Sequence, residues 1–407
     1  MKTKGCIFAV LFIFAILLCF AGCSMERTVV YQESIPLLPD AEQLPEIPTD
    51  VSNAEFKVSF LGCGDNIIYG GNTRDARLKA VEGGRFYNFK PQYAKVEKYI
   101  SSADIAFINQ ETPMCGDGYD ISYYPRFNSP QDLGHDLVEL GFDVINIANN
   151  HMLDQNSDGL SRTIEFLKGL DVLMIGGYEN SEDFDNIRVI KKNQLRIAFI
   201  SYTYETNGLR KSQSSELVVP YINDDDIKRQ AEIAKNISDF VIASVHWGNE
   251  GAFKPSNEQK RVAQLFADCG VDVIIGHHPH VLQPIEWLTG EEGNETLCVY
   301  SLGNFLAEQD YDYNTVGGMI SFDIVSRGSQ KTKVENVLFT PTVCHYPATF
   351  RENIIYPMTE YTPELAGLHA VKNYYKNTYV YDKLINYVTD TIDEQYLSVE
   401  FKEKFAG

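Results

Sequence analysis

The sequence predicts an α/β fold in which sheet layers are covered by helices. From Phe56 onward, short apolar segments typical of strands alternate with amphipathic segments of helical period. Such alternation is typical of strands that share a sheet and of helices that cover its faces. The composition agrees, because 44% of the residues are hydrophobic and 22% are charged, as in folded globular domains.

The strands and helices of this region are predicted from hydrophobic spacing. Strands are predicted over 56–61, 104–108, 142–148, 171–175, 195–202, 239–245, 271–275, 297–301, 318–325 and 334–343. Helices are predicted over 88–101, 130–140, 158–169, 224–237 and 256–269. The segment 351–407 is rich in tyrosine and is predicted to be a helical C-terminal extension with a helix near 371–388.

The N-terminus has the pattern of an export signal. Lys2 and Lys4 precede an uncharged apolar run over 7–21, and small residues follow. The run is short for a membrane span, which needs about 20 residues. An uncleaved anchor helix remains the alternative, and both interpretations predict export. Residues 20–23 resemble a bacterial lipobox, which implies a lipid on Cys23 at the outer face of the cytoplasmic membrane.

The chain is predicted to divide into four parts. Residues 1–22 form the lipoprotein signal peptide, and residues 23–53 form an acidic linker that contains four prolines and no helical or strand period. Residues 54–350 form one large α/β domain, and residues 351–407 form the extension. A formal net charge of −21 argues against a nucleic-acid partner, because binding to phosphates needs a basic surface.

The eight cysteines match no zinc or redox motif. Five lie after the lipobox, so they cannot all pair with one another; these are Cys63, Cys115, Cys269, Cys298 and Cys344. We expect most of them to lie in the core, and a Cys63–Cys115 bridge is an open alternative.

Polar residues follow six of the predicted strands. These residues are Asp65; Asn109, Gln110 and Glu111; Asn149, Asn150, His151 and Asp154; His246 and Glu250; His277, His278 and His280; and Asn304. In α/β sheets, ligands bind outside the carboxyl ends of strands. Five of the eight histidines fall in three of these clusters, which indicates one shared site.

The side chains in these clusters suit divalent metals. Carboxylate, amide oxygen and neutral imidazole together favour borderline ions such as Zn, Mn, Fe or Ni. Two such ions, about 3.5–4 Å apart, can clamp the oxygens of a phosphoryl displacement. His278 and His280 would point to opposite sides of an extended segment, so the loop around Pro279 must turn them together.

Each element also has a structural alternative. Asp65 can be a turn residue, Glu111 a solvated loop acid, and Asn149 and Asn150 turn formers. Three histidines within four residues, 277–280, are the most specific signal. The isolated histidines are predicted to be structural; these are His135, His345 and His369.

The motifs GD, NQE, ANNHxxD, HWGxE, GHHPHVxQ and YSLGNF, in this order, resemble the bacterial capsule-synthesis CapA family, the poly-γ-glutamate capsule biosynthesis proteins. The resemblance covers roughly 56–310 and is expected to extend to about 345. It implies the fold of calcineurin-like metallophosphatases, a sandwich of two β-sheets flanked by helices.

The resemblance also implies residue roles. The metal ligands are then Asp65, Glu111 as the bridging carboxylate, Asn150, His246, His278 and His280. The catalytic positions are His151, as proton donor or transition-state stabiliser, and Asp154. The supporting positions are Asn149, Glu250, His277 and Asn304.

Three departures from the superfamily pattern concern the metal sites. Its first motif is DxH, but Asn66 and Ile67 follow Asp65, so one site lacks a histidine and is expected to bind more weakly. Glu111 replaces the usual bridging aspartate. His277 is an additional histidine and competes with His278 for the ligand role.

Two functions are consistent with these features. The first is a cell-surface lipoprotein with phosphoesterase-like hydrolase or transferase activity, which uses two divalent ions (Mn, Zn or Fe). The resemblance implies a role in the synthesis, anchoring or export of a capsule polymer, poly-γ-glutamate or polysaccharide, with the polymer or its precursor as partner. The alternative is a non-catalytic accessory lipoprotein that holds a polymer or a complex of synthase subunits at the membrane, with metal only structural or absent.

Overall fold

Two β-sheets pack face to face in the computed structural model, which describes residues 54–81, 84–374 and 379–405. The strands are β1 (Glu55–Asn66), β2 (Ile105–Gln110), β3 (Val144–Asn146), β4 (Leu173–Ile175), β5 (Arg188–Lys192), β6 (Leu195–Thr203), β7 (Phe240–His246), β8 (Val273–His277), β9 (Leu282–Thr289), β10 (Glu295–Leu302), β11 (Asn304–Leu306), β12 (Val316–Arg327), β13 (Lys333–His345) and β14 (Ile354–Pro357).

The helices are α1 (Gly70–Leu78), α2 (Lys90–Tyr93), α3 (Glu97–Ser102), α4 (Asp132–Leu140), α5 (Asn156–Lys168), α6 (Ser181–Asp185), α7 (Asp224–Ile237), α8 (Asn257–Asp268), α9 (Pro363–Leu368), α10 (Tyr381–Thr389) and α11 (Val399–Phe405). Four short 3-10 helices complete the described elements, at Asp312–Thr315, Met358–Glu360, Ala370–Asn373 and Glu394–Tyr396.

The first sheet has the strand order β14-β13-β12-β1-β2-β3-β4. β12 pairs with β1 as far as Cys63, and β11 pairs with the last residues of β1, from Asp65 onward. The second sheet has the order β5-β6-β7-β8-β10-β9. Strands β1 to β4 run parallel, as do β6, β7, β8 and β10, so their carboxyl ends lie at one edge of each sheet.

A hydrophobic core fills the space between the sheets, where Phe60 of β1 and Ile275 of β8 are both buried. A second core lies between the other face of the second sheet and the helices α7 and α8, which contribute Ile227 and Phe266. The predicted α/β fold of two sheets flanked by helices is therefore confirmed.

The strands that the sequence did not predict are β5, β9, β11 and β14. β9 carries Pro284, which argues against a strand in sequence, but it is the edge strand of the second sheet, where proline is tolerated. β11 has only 3 residues, too few for a hydrophobic period. The helix predicted over 88–101 is interrupted by a turn, in which Val96 N donates to Tyr93 O at 2.8 Å.

The segment after residue 350 is mostly helical but begins with β14, which pairs with β13 and extends the first sheet. Its helices return to the domain, because Lys383 of α10 pairs with the buried Asp312 at 2.6 Å and Phe401 of α11 is fully buried. The division at residue 350 stays a prediction.

Cys63 and Cys115 are both buried and free, so the bridge between them is not formed. Cys63 lies inside β1, and the Cys115 thiol donates to Gly159 O at 3.5 Å instead. The predicted signal peptide, the linker over 23–53 and Cys23 lie outside the described residues. Within the described part of the chain, no helix has the length and apolarity of a membrane span.

Candidate metal centre

Strand ends from both sheets converge at one edge of the sandwich. Asp65 of β1 lies opposite Asn109 of β2 on one side and Asn304 of β11 on the other. In the second sheet, His246 at the end of β7 lies opposite His277 at the end of β8. The two sheets thus place a carboxylate and imidazoles from distant parts of the chain beside each other.

Glu111 lies at the centre of this arrangement. Its Oε1 is 3.8 Å from His246 Nε2 and 3.6 Å from His280 Nε2, and its side chain is fully buried. Neither carboxylate oxygen has a hydrogen-bond partner among the described residues. Burial raises the pKa of Glu111 well above its ordinary value, so its charged form requires a nearby cation.

Two groups of potential metal ligands share Glu111. One is Glu111, His278 and His280, and the other is Asp65, Glu111 and His246. Within each group the ligand atoms lie within 4.8 Å of one another. A carboxylate common to both groups is placed as a bridging ligand would be.

Asp65 is held by several contacts. Its Oδ1 accepts a hydrogen bond from Asn109 Nδ2 at 2.8 Å, and its Oδ2 lies 3.0 Å from His280 Nδ1. Burial acts to raise the pKa of Asp65, but the contacts with His277 and His280 hold it well below its ordinary value. Asp65 is therefore the ionised carboxylate of the centre.

The histidine loop is shaped by an unusual backbone. His278 has φ 95° and His280 has φ 55°, both in the left-handed region that side chains rarely adopt. Each such residue typically costs about 1–3 kcal/mol and is kept where the surrounding structure holds it in place. These angles bring both imidazoles to the same side, with ring centroids 5.6 Å apart, as the sequence predicted from the need to turn them together.

Close backbone packing beneath the loop depends on glycine. A Cβ on Gly64 would lie 2.1 Å from Gly303 O, and a Cβ on Gly276 would lie 2.1 Å from Tyr300 O. Both positions therefore exclude any larger residue without movement of the backbone.

The remaining nitrogen and amide ligands are arranged around Glu111. His246 Nε2 lies 2.9 Å from Asn150 Oδ1, and the His246 and His278 ring centroids are 4.8 Å apart. Burial lowers the pKa of His246 well below its ordinary value and that of His278 to about 3. Both rings are therefore neutral at physiological pH, which is the form that binds a metal.

His280 differs from these two histidines. Burial opposes its charge, but Glu111 and its hydrogen bond to Asp65 raise its pKa to about 9. Its Nδ1 also lies 3.1 Å from Asn304 Oδ1. In the absence of a metal, the proton on His280 thus offsets the negative charge of Asp65, whose Oδ2 lies 3.0 Å from His280 Nδ1.

His151 and Asp154 form a pair beside the ligand groups. His151 Nδ1 lies 2.8 Å from Asp154 Oδ2, which also accepts the Phe127 backbone N–H at 2.7 Å. The Phe127 ring meets the His151 ring edge-on at 4.8 Å between centroids. These contacts hold the imidazole and leave Nε2 as the ring nitrogen that can act on a bound group.

The centre fits divalent metal ions. Its unpaired buried atoms include both oxygens of Glu111, and Oε1 faces the Nε2 atoms of His246 and His280. A buried polar atom without a hydrogen-bond partner is unfavourable unless a water molecule or a bound ion contacts it. Oxygen and imidazole nitrogen donors around one carboxylate are what Mn, Fe and Zn accept.

The structure brings together all six predicted metal ligands. Of the supporting residues, Asn304 contacts His280, and Asn149 Oδ1 accepts the His151 N–H at 2.9 Å, which shapes the loop. His277 is fully buried, with Nδ1 3.3 Å from Asp65 Oδ1, but it belongs to neither ligand group. Glu250 is exposed and lies at the rim.

Sequence reasoning missed a buried polar chain beneath Asp65. Ser201 Oγ donates to Asn146 Oδ1 at 2.5 Å, Asn146 Nδ2 donates to Asn109 Oδ1 at 2.8 Å, and Asn109 Nδ2 donates to Asp65. Asn109 belongs to the NQE motif, in which the sequence analysis gave a role only to Glu111. Asn146 is an amide inside an otherwise apolar part of its strand. A buried amide needs a hydrogen-bond partner, so its presence there was the signal for a buried polar chain.

The loop between β6 and α7 also contacts the centre, and the sequence did not predict this contact. The Tyr204 ring lies 4.7 Å from the His278 ring between centroids. Asn207 Oδ1 accepts from Asn150 Nδ2 at 3.3 Å. This loop carries no motif in the sequence, so only the tertiary structure reveals its position.

Comparison with protein families shows which family model the sequence matches. The sequence model of the family described as "Bacterial capsule synthesis protein PGA_cap" matches residues 59–309, which contain every residue of the two ligand groups.

Three curated relatives are similar over part of their length. "Capsule biosynthesis protein CapA" of Bacillus anthracis is 29% identical, and the alignment covers 58% of this chain and 58% of that protein. "PGA biosynthesis protein CapA" of Bacillus subtilis is 33% identical, and the alignment covers 49% of this chain and 51% of that protein. A "Probable polyglutamine synthesis accessory protein" of Mycobacterium tuberculosis is 27% identical over 54% and 59%. The alignments thus span between half and three-fifths of these relatives.

Two solved structures are similar at low sequence identity. The NAD nucleotidase of Haemophilus influenzae has a TM-score of 0.42 and 13% identity, over 83% of this chain and 60% of its own. The 5'-nucleotidase precursor of Thermus thermophilus has a TM-score of 0.41 and 14% identity, over 82% and 59%.

Proposed function

Because the chain belongs to the family of bacterial capsule synthesis proteins described as PGA_cap, we propose that it acts in the synthesis, anchoring or export of a capsule polymer, as a metal-dependent phosphoesterase-like hydrolase or transferase. The names of the Bacillus relatives support the capsule role. The polymer, or its precursor, is poly-γ-glutamate or a polysaccharide.

The observation that carries the catalytic proposal is the state of Glu111. A fully buried carboxylate whose oxygens make no hydrogen bond to the described protein, and which is shared by two ligand groups, is placed to bind cations. We infer that it holds two divalent ions, with Asp65 and His246 on one side and His278 and His280 on the other. Asn150 supplies an amide oxygen to the same centre.

The chemistry divides between the ions and the protein. Bound divalent ions supply Lewis-acid polarisation of a phosphoryl oxygen and lower the pKa of water. His151, oriented by Asp154, donates a proton from Nε2 to the oxygen of the leaving group. Phe127 fixes the plane of the imidazole, and Asn207, from the β6–α7 loop, lies 3.4 Å from His151 Nδ1.

A second candidate is a non-catalytic accessory protein of a capsule synthase. The name of the mycobacterial relative, an accessory protein of polymer synthesis, favours it. In this case the metal centre stabilises the fold or a binding surface, and turnover is absent.

We further propose that the protein is exported and held at the outer face of the cytoplasmic membrane by a lipid on Cys23. The apolar run over 7–21 and the lipobox-like residues 20–23 support this location. Membrane synthase subunits are then its nearest partners.

Metal content and phosphodiester hydrolysis of the same preparation test the catalytic proposal. Glu111→Gln keeps the shape of the side chain but removes its charge. We expect the variant to lose bound Mn²⁺ or Zn²⁺ and to hydrolyse bis-p-nitrophenyl phosphate at least about a hundredfold more slowly, because metal ions contribute several kcal/mol to such transition states.

Glu258→Gln, at an exposed glutamate of α8, is the matched control and should change neither quantity. Wild-type protein that binds metal but hydrolyses neither the diester nor p-nitrophenyl phosphate would favour the accessory candidate. Wild-type protein that retains no metal would contradict the two-metal centre.

A further inference from the structure

A cavity of about 460 Å³ adjoins the metal centre on the side of His280. Gly251, in its lining, donates its backbone N–H to Pro279 O at 2.8 Å. Asn314, also in its lining, donates from Nδ2 to His280 O at 3.0 Å. A molecule in this cavity therefore lies next to the histidine loop.

The cavity is lined by four tyrosines, and we call it the tyrosine groove. They are Tyr69, Tyr124, Tyr311 and Tyr313. Tyr124 is 73% exposed and Tyr311 is 45% exposed, so aromatic faces are presented to solvent. Tyr311 and Tyr313 stack with centroids 5.1 Å apart and planes at 5°, which makes a flat aromatic wall.

Among the described residues that line it, the groove has acidic side chains and no basic ones. Its acidic residues are Glu250, Glu308 and Asp310. Glu308 belongs to the framework, because its oxygens accept from Gly71 N at 2.9 Å and from Asn353 Nδ2 at 2.8 Å. Glu250 and Asp310 form no ion pair with any described residue, so their negative charges are not neutralised within the groove.

A second cavity, of about 660 Å³, is lined mainly by the β6–α7 loop and adjoins the centre at His278. Tyr204 lines it and also packs on His278. Arg210 and Lys211 line this cavity together with the acidic Glu205 and Glu216, whereas no basic side chain lines the tyrosine groove. Basic groups are therefore available to a ligand in the second cavity and not in the tyrosine groove.

We propose that the tyrosine groove binds the part of the substrate that carries an ammonium group. Tyrosine faces attract cations through their quadrupole, and two uncompensated carboxylates add Coulomb attraction. The same carboxylates repel an anionic chain, so the groove selects against anionic groups. The inference rests on the proposed function only where it identifies this ligand as part of the substrate.

Binding of three trisaccharide and tripeptide probes to the purified protein tests the groove without turnover. The probes are a glucosamine trimer, which is cationic, an N-acetylglucosamine trimer, which has the same rings but is neutral, and a γ-linked glutamate trimer, which is anionic. In isothermal titration at low salt we expect the glucosamine trimer to bind at least about tenfold more tightly than the other two.

Variants in the groove locate the binding. Asp310→Asn and Glu250→Gln should each weaken the glucosamine trimer by about fivefold, and Tyr311→Ala should weaken it by a similar factor. Tyr311→Phe should retain binding, because the ring face remains. Glu216→Gln, in the second cavity, is the matched control and should leave the affinity unchanged.

Equal binding of the glucosamine and N-acetylglucosamine trimers would overturn the proposal in favour of a neutral carbohydrate groove. Tighter binding of the glutamate trimer, no binding of any probe, or variants without effect would overturn it as well. Because no step depends on hydrolysis, a groove that binds the cationic probe in a protein without phosphoesterase activity upholds this inference while the catalytic proposal fails.

Discussion

At the scale of single residues, the orientation of Asp65 depends on amides that are not ligands themselves. Asn109 donates to Asp65 Oδ1 and accepts from Asn146, which accepts from Ser201. All four side chains are fully buried, so water cannot replace a lost bond. Partners of this kind fix the direction in which a ligand presents its oxygen to a metal.

Asn109→Ala is therefore expected to weaken Mn²⁺ binding by about 10–100-fold, the usual effect of removing a group that orients a ligand. The measurement is isothermal titration of the metal-free protein, with circular dichroism to show that the variant is folded. Ser201→Ala, at the far end of the chain of amides, should have a smaller effect. Equal metal affinity in Asn109→Ala and wild type would show that Asp65 is oriented by other contacts.

At the scale of elements, the connection between α9 and the 3-10 helix Ala370–Asn373 is built around His369. The sequence predicted a structural role for this histidine. Its Nε2 lies 3.1 Å from Cys344 O, its Nδ1 accepts the Val371 N–H at 3.2 Å, and its ring stacks on Tyr379 at 4.3 Å. Only the neutral ring, with its proton on Nε2, satisfies both bonds.

This arrangement makes stability depend on pH. Burial lowers the pKa of His369 to about 3, whereas an unfolded histidine titrates near 6.5. Between these values the unfolded chain binds more protons than the folded one, so stability falls as the pH falls, by at most about 1.4 kcal/mol per pH unit for this group.

His369→Gln should reduce the slope of unfolding free energy against pH between pH 6.5 and 5 by up to that amount. Glutamine is chosen because it retains a donor and an acceptor but does not titrate. Urea unfolding at several pH values measures the slope, and the value at pH 8 gives the loss of stability from the substitution itself. Equal slopes of unfolding free energy against pH for variant and wild type would contradict a neutral His369 in the folded protein.

At the scale of the whole molecule, the net charge restricts where a polymer can bind. The net charge of −21 is carried by a chain whose centre is proposed to act on a capsule polymer or its precursor. Since an anionic polymer is repelled by such a surface, we expect contact at the metal centre, where bound ions would offset the negative charge.

Location is tested by Cys23→Ser. We expect the wild-type protein to fractionate with the membrane and to become labelled when cells are grown with a radioactive fatty acid. The variant should lose the label, because the sulfur that carries the lipid is absent. A variant that still takes up the label would contradict lipid attachment at Cys23, and unlabelled wild type in the membrane fraction would favour the uncleaved anchor helix.

Much of the fold could be predicted because central strands are apolar on both faces. Every strand predicted from such a run, for example 239–245, is present as a strand, here β7 at Phe240–His246. Edge strands carry weaker signals because one of their sides is exposed. β5 and β9 are both edge strands of the second sheet, and both were missed.

The sequence by itself determined which residue types follow which strands, and therefore the ligand candidates from Asp65 to His280. Strand ends in an α/β sheet share one edge, so order along the chain is enough to collect them. Only the tertiary structure decided how these groups meet: that Glu111 is shared by two ligand groups, that His277 is left outside both, and that a loop without a motif covers His278. Those outcomes depend on the packing of one sheet against the other and on left-handed backbone at two histidines, neither of which leaves a periodic pattern in the sequence.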